Sequence, residues 1–310
     1  MTTAAPPATR AAAPNRPADV IFKAVSTTAG VLILVALAGV AIFLVAQAVP
    51  AIIGPLPEDD SFLAWVWPLT FGTLWSAFLA MLMAVPVAIA IALFITHFAP
   101  RRLAMGLGYL VDLLAAIPSV IYGLWGIAVL APFLQPSYVW LAQNLGWLPL
   151  FSPPASGTGR TVLTASIVLA VMVLPIITAL CREIFLQTPR LNEEAALALG
   201  ATRWEMITMA VLPHGRSGII ASSILGLGRA LGETMAVAMV LASSGAVTLV
   251  LIGSQNPSTI AANIALRFPE AHGLTVNMLI GSGLVLFAIT LIVNAVSRII
   301  IAKTTVDGGR

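Results

Sequence analysis

Two opposite charges stand in the middle of an apolar run, Gly226-Leu-Gly-Arg-Ala-Leu-Gly-Glu-Thr-Met-Ala-Val237, where Arg229 and Glu233 are four residues apart. A charge at the centre of a bilayer costs from about 2.5 kcal/mol upward, so such residues normally face a polar interior and serve a function. On one continuous helix the spacing places them a turn apart, and Glu233 could neutralise Arg229. Arg229 could instead offer its guanidinium to an oxyanion, because planar paired donors match phosphate geometry and the charge persists at physiological pH. Both readings stand on the residues alone. Thr234 completes the polar set expected to line or gate a pathway, while Gly226, Gly228 and Gly232 strip bulk from the helix and would let another approach.

A second island of chemistry runs from Thr188 to Pro213 and is the longest amphiphilic stretch of the chain. Thr188 and Pro189 read as an N-cap with proline at the first helical position, and Gly200 as a C-terminal glycine. Thr202 and Glu205 fit a capping box that restarts the helix. The expectation is helix, sharp turn, helix, a compact knob able to dock into a cleft on another protein.

These residues must be positioned by a membrane framework. The chain has 310 residues, of which 59% are hydrophobic and 9% charged, far from the quarter or so of charged residues usual in soluble domains. The net charge of +3 is spread singly between apolar runs, with no stripe to follow a nucleic-acid backbone. Cys181 is the only cysteine, so no disulfide or multi-cysteine metal site can form within one chain. At about 20 residues per crossing, spans are expected near Ala24–Val49, Thr70–Phe98, Leu107–Leu134, Thr161–Cys181, Gly218–Ser243 and Val276–Ile301. Fold class is therefore all-α, a polytopic protein with six transmembrane helices. Residues 1–22 are expected to be a disordered tail, 23–303 the membrane domain carrying the 188–213 loop, and 304–310 a short tail. The first apolar run is too long for a signal-peptide core.

Basic residues precede the first span, follow the second and fourth, and end the chain, whereas Arg160 and Arg267 alone fall in the opposite loops. The positive-inside rule then places both termini and the knob in the cytoplasm. Pro86, Pro118 and Pro175 lie inside spans, each removing a helical hydrogen bond. Around Pro118, with Ser119 and Tyr122, the run Ile117-Pro-Ser-Val-Ile-Tyr-Gly-Leu-Trp-Gly126 is a candidate pathway lining, with plain helix packing an equal alternative. Asp112 reads as interfacial.

The knob resembles the EAA loop of ATP-binding-cassette (ABC) importer permeases in Glu194, Ala195, Ala196, Gly200, Leu212 and Pro213, with Ala210 where the pattern has isoleucine. Together with the Arg-Ala-Leu-Gly-Glu-Thr and Ile-Pro-Ser-Val-Ile-Tyr-Gly segments, the chain from about Phe22 to Ile301 resembles the PstC-type permeases of the bacterial phosphate-specific importer. The resemblance implies a type I (MetI-like) permease in the inner membrane, with the loop coupling to an ATPase. It also implies a heterodimer with a PstA-type permease, two PstB-type ATP-binding subunits and a PstS-type extracytoplasmic phosphate-binding protein. Inorganic phosphate is the expected cargo, with sulfate, molybdate or another oxyanion as alternative, and an ATPase-independent secondary transporter as the reading the EAA loop opposes. Neither lysine follows a glycine, as a Walker A loop requires, so the chain is not expected to hydrolyse ATP. His97, His214 and His272 lack ligand spacing and are read as loop or interface residues. No metal and no cofactor are expected.

Overall fold

The computed structural model describes residues 17–54 and 61–307. Residues 1–16 and 308–310, parts of the two expected tails, lie outside them. Helix α1 (Pro17–Ile53) is the first described element, and its stretch to Ala46 belongs to a unit of its own, largely apolar. The second unit begins at Gln47.

That unit is built around two long helices, α2 (Phe62–Leu93) and α6 (Val162–Leu186). They meet through alanines at Ala77, Ala80, Ala84, Ala88 and Ala92 on α2 and through Leu169, Val173 and Ile177 on α6, all buried. Small residues let helix backbones approach closely where lipid supplies no hydrophobic drive. Both helices run on through their internal prolines, Pro86 and Pro175.

Between them lie α3 (Arg101–Ala115), α4 (Ser119–Trp125) and α5 (Ala131–Leu145), the last two joined by a π-helical turn, Gly126–Leu130. The expected Leu107–Leu134 span is corrected here: the crossing runs Ser119–Leu145, and α3 is a separate amphipathic helix. Proline disfavours helical geometry in the residue before it, and the last turn of α3 tightens as Ala116 and Ile117 donate to Leu113 and Leu114 carbonyls at 3.2 and 3.3 Å.

After α6 come α7 (Arg190–Ala198), α8 (Arg203–Met206), a π turn Ile207–Val211, and α9 (Leu212–Gly232). The remaining helices are α10 (Met235–Val240), α11 (Ile260–Arg267) and α12 (Leu274–Asp307). Among the described residues five helical stretches are long and apolar enough to cross a membrane. Six continuous spans are not found, because the expected Gly218–Ser243 span divides into α9 and α10.

Between α10 and α11 the chain enters the bundle without regular structure. Leu251, Ile252, Asn256, Ser258 and Thr259 are buried there. Such backbone is tolerated at membrane depth only when protein groups satisfy it. Here Ile260 N–H donates to the Thr73 hydroxyl of α2 at 2.9 Å, and Gly72 leaves space for the Ser258 carbonyl.

Candidate functional site

The turn and the restart of the knob form as the sequence spells out, but its start does not: α7 begins at Arg190 with Pro189 at the N-cap position and no side-chain cap, and the Thr188 hydroxyl is buried without a partner among the described residues. Gly200 has φ +88°, the left-handed conformation that favours glycine. Gly200 N–H donates to Leu197 O at 3.0 Å and Ala201 N–H to Ala196 O at 3.2 Å, the paired bonds of a Schellman cap. Thr202 then caps α8: its hydroxyl accepts from Glu205 N–H, while the Glu205 carboxylate accepts from the Thr202 N–H at 2.7 Å and hydroxyl at 2.8 Å. Those two bonds favour the ionised form and draw the Glu205 carboxyl below the usual range. Glu194, Ala195 and Pro213 are exposed, whereas Ala196 is buried against the core and Leu212 half-buried. Leu191, Leu199 and Trp204 of the same stretch are also exposed.

From Thr202 onward the helix is continuous through the π turn to Gly232, a rod about 45 Å long at roughly 1.5 Å per residue. It packs along α6, and added side-chain carbons at Gly215 and Gly226 would press on Phe185 and Ile177. Gly228 and Gly232 have no neighbour there, so among the described residues only Gly226 of the three expected glycines receives a helix. Arg229 lies in the last turn of the rod.

Arg229 and Glu233 do not share one helix. At Glu233 the backbone turns extended (φ −68°, ψ 128°), and its Oε1 accepts from Ala236 N–H at 3.1 Å, satisfying a free amide at the start of α10. Glu233 is 9% exposed and Arg229 is exposed. Among the described residues the acid–base side-chain contacts are His97–Glu193, Arg182–Asp112 and Arg182–Glu183, and Arg229 is in none. Asp112, expected at an interface, thus meets Arg182 of α6 at 3.7 Å. The Thr234 hydroxyl donates to Gly232 O at 3.2 Å across the break.

Arg229 lines a groove of about 630 Å³ with Ile176, Ile224, Leu225, Gly228 and Asn294. Tyr122, Ser119 and Pro118 belong to the other interrupted span. Pro118 is exposed at the break, Ser119 half-buried, and the buried Tyr122 donates to Leu114 O at 2.9 Å, tying α4 back to α3. The two interrupted spans meet: an added carbon at Gly123 would lie 2.9 Å from Ala236 Cα, so α4 and α10 cross at backbone contact.

One polar centre had no expectation attached. Asn256 is fully buried, donating to Ala242 O at 3.0 Å and Arg160 O at 3.3 Å and accepting from Val162 N–H at 3.2 Å. Arg160 Nη2 in turn donates to Met239 O at 3.0 Å, placing a cation at the C-terminal end of α10. The dipeptide Asn256-Pro257 signals a turn in sequence, but nothing local announces its burial.

Such an arrangement can present to an anion a guanidinium that has no ion-pair partner among the described residues, beside an apolar groove wall and next to the break between α9 and α10. The model of the family of binding-protein-dependent transport system inner membrane components matches residues 84–306. The chain is 46% identical over 303 residues to the phosphate transport system permease protein PstC 2 of Mycobacterium tuberculosis, covering 93% of each. Among solved structures, a bacterial ABC transporter importing the acidic polysaccharide alginate matches with a TM-score of 0.57 at 20% identity, over 90% of this chain and 96% of that one. The inward-facing MetNI methionine ABC transporter matches with a TM-score of 0.52 at 18% identity, over 77% and 94%.

Proposed function

The chain belongs to the binding-protein-dependent transport inner membrane components, in their PstC-type branch, and on that premise we propose that it is the permease subunit of an ABC importer for inorganic phosphate. One observation carries the reading. A single helical rod joins the capped turn at Thr202 to the unpaired guanidinium of Arg229. Displacement of the knob is therefore delivered to the anion-facing residue without an intervening joint.

The knob is the part an ATP-binding subunit grips, with Glu194, Ala195 and Pro213 presented to it and Ala196, Gly200 and Leu212 holding its shape. ATP hydrolysis belongs to that partner, of which two PstB-type copies are required, and a PstA-type permease completes the pathway. A PstS-type protein delivers phosphate from outside. Arg229 supplies paired donors for the anion, and an apolar groove strengthens them by lowering the local dielectric. Glu233 and Thr234 hold the break, and Pro118, Ser119 and Tyr122 form the facing broken span. The basic residues Arg101, Arg102, Arg190, Arg203 and Arg216 gather at the knob end, which supports a cytoplasmic knob and cytoplasmic termini in a bacterial plasma membrane.

Omission of subunits from a reconstituted system tests this. Vesicles holding all components should accumulate phosphate only with ATP inside and the ATP-binding subunit present. Equal uptake without that subunit would make the chain a secondary transporter.

A further inference from the structure

The knob has a second attachment. α2 ends in a π-helical turn, Phe94–Phe98, that carries His97, and His97 Nε2 lies 3.7 Å from Glu193 Oε1 on α7. The imidazole side chain is 9% exposed and the carboxylate 25%. π turns inside helices recur at functional sites.

The Thr96 hydroxyl lies 2.6 Å from His97 Nδ1, which fixes the ring and leaves Nε2 turned toward the Glu193 carboxylate. At 3.7 Å the contact is longer than a direct hydrogen bond.

α2 is a rod in its own right. About 36 Å from His97, at roughly 1.5 Å per residue, Thr73 accepts the Ile260 N–H at the exit of the buried irregular segment. That segment holds Asn256, and through Asn256 and Arg160 it is joined to the end of α10. The knob thus has one connection along α8 and α9 to Arg229, and a second through His97 and α2 to the opposite end of the bundle.

We propose that His97 and Glu193 are positioning residues for transport, forming a clasp that passes movement of α7 to α2 so that both ends of the pathway respond to the same ATPase stroke. The proposal rests on the permease reading. It separates two jobs: the α9 rod acts on Arg229, and the clasp acts on the far segment.

The test uses the full reconstituted assembly and reads phosphate transported per ATP hydrolysed, a ratio that a mere loss of folded complex leaves unmoved. His97→Gln and Glu193→Gln should each lower that ratio about fivefold or more while ATP hydrolysis continues. His97→Lys, which sets an ammonium opposite Glu193, and the reversed pair His97→Glu with Glu193→Lys should return it to within about twofold of wild type. Wild-type ratios in both single glutamine variants overturn the clasp, as does failure of both rescues. Absence of ATP-dependent uptake in the wild-type assembly overturns the permease reading, and the clasp with it. Should the variants not assemble, hydrogen exchange in the purified chain decides: His97→Gln should speed exchange of the Arg190–Ala198 amides several-fold, and unchanged exchange refutes the proposal.

Discussion

Replacing Gly200 with valine isolates the backbone geometry of the knob. At φ +88° an added carbon meets nothing within 4 Å, so the whole penalty comes from the conformation and none from crowding. A β-branched residue in this region is a genuine outlier, and held there it costs on the order of 1–3 kcal/mol. Taking about 2 kcal/mol, the turn that orients α7 against α8 becomes roughly 30-fold less populated, and association with the ATP-binding subunit should weaken by that factor. Asparagine tolerates the left-handed region, so Gly200→Asn should lose several-fold less. The assay is titration of the purified ATP-binding subunit onto the permease in detergent, followed by phosphate uptake in vesicles. Equal affinity for the valine and asparagine variants would refute the reasoning, because both add bulk and only one conflicts with the backbone.

Arg229→Gln should assemble and fail to transport, and adding Glu233→Gln should not restore uptake, since the two side chains form no ion pair and Gln can still accept the Ala236 N–H; restored uptake would mean that they neutralise each other in the working state. Glu233→Ala removes that acceptor and should cost about 1 kcal/mol, the usual loss at a helix cap, read as a lower thermal midpoint in detergent. Glu205 titrates below the ordinary carboxylate range, so the stability it lends the turn is complete above about pH 4.3 and is lost as pH falls through its folded value; amide protection at Thr202 and Glu205 should fall on acidification and become flat in Glu205→Gln. Asn256→Ala leaves the buried Val162 N–H and two carbonyls without partners, and at about 1–3 kcal/mol for each it should lower the thermal midpoint more than any change in the knob.

The knob was legible because its determinants are local. Thr202, Glu205 and Gly200 act on groups within three or four residues, and cap chemistry is written at that range. Apolar length likewise placed most of the spans. The breaks were harder. Pro118 announced an interruption, yet Pro86 and Pro175 are carried inside continuous helices, because neighbouring helices decide whether a missing hydrogen bond is tolerated. At Glu233 no proline or special cap residue signals a stop. The four-residue spacing from Arg229 is equally that of an intrahelical pair, and only the competing bond to Ala236 separates the two. Asn256 and His97 depend on partners such as Val162 and Glu193, nearly a hundred residues away in the chain, which no local pattern reveals. Their contacts became readable only once α2, α6 and α7 were placed.

What crosses the membrane and what drives it can be read in one uptake experiment. Radiolabelled phosphate uptake should be measured in vesicles containing the complete assembly, with ATP inside and excess sulfate or molybdate outside. ATP-dependent accumulation that neither competitor reduces, and that Arg229→Lys lowers at unchanged complex content, is the predicted result. Competition by sulfate equal to that by unlabelled phosphate would contradict it and make the chain the permease of another oxyanion importer.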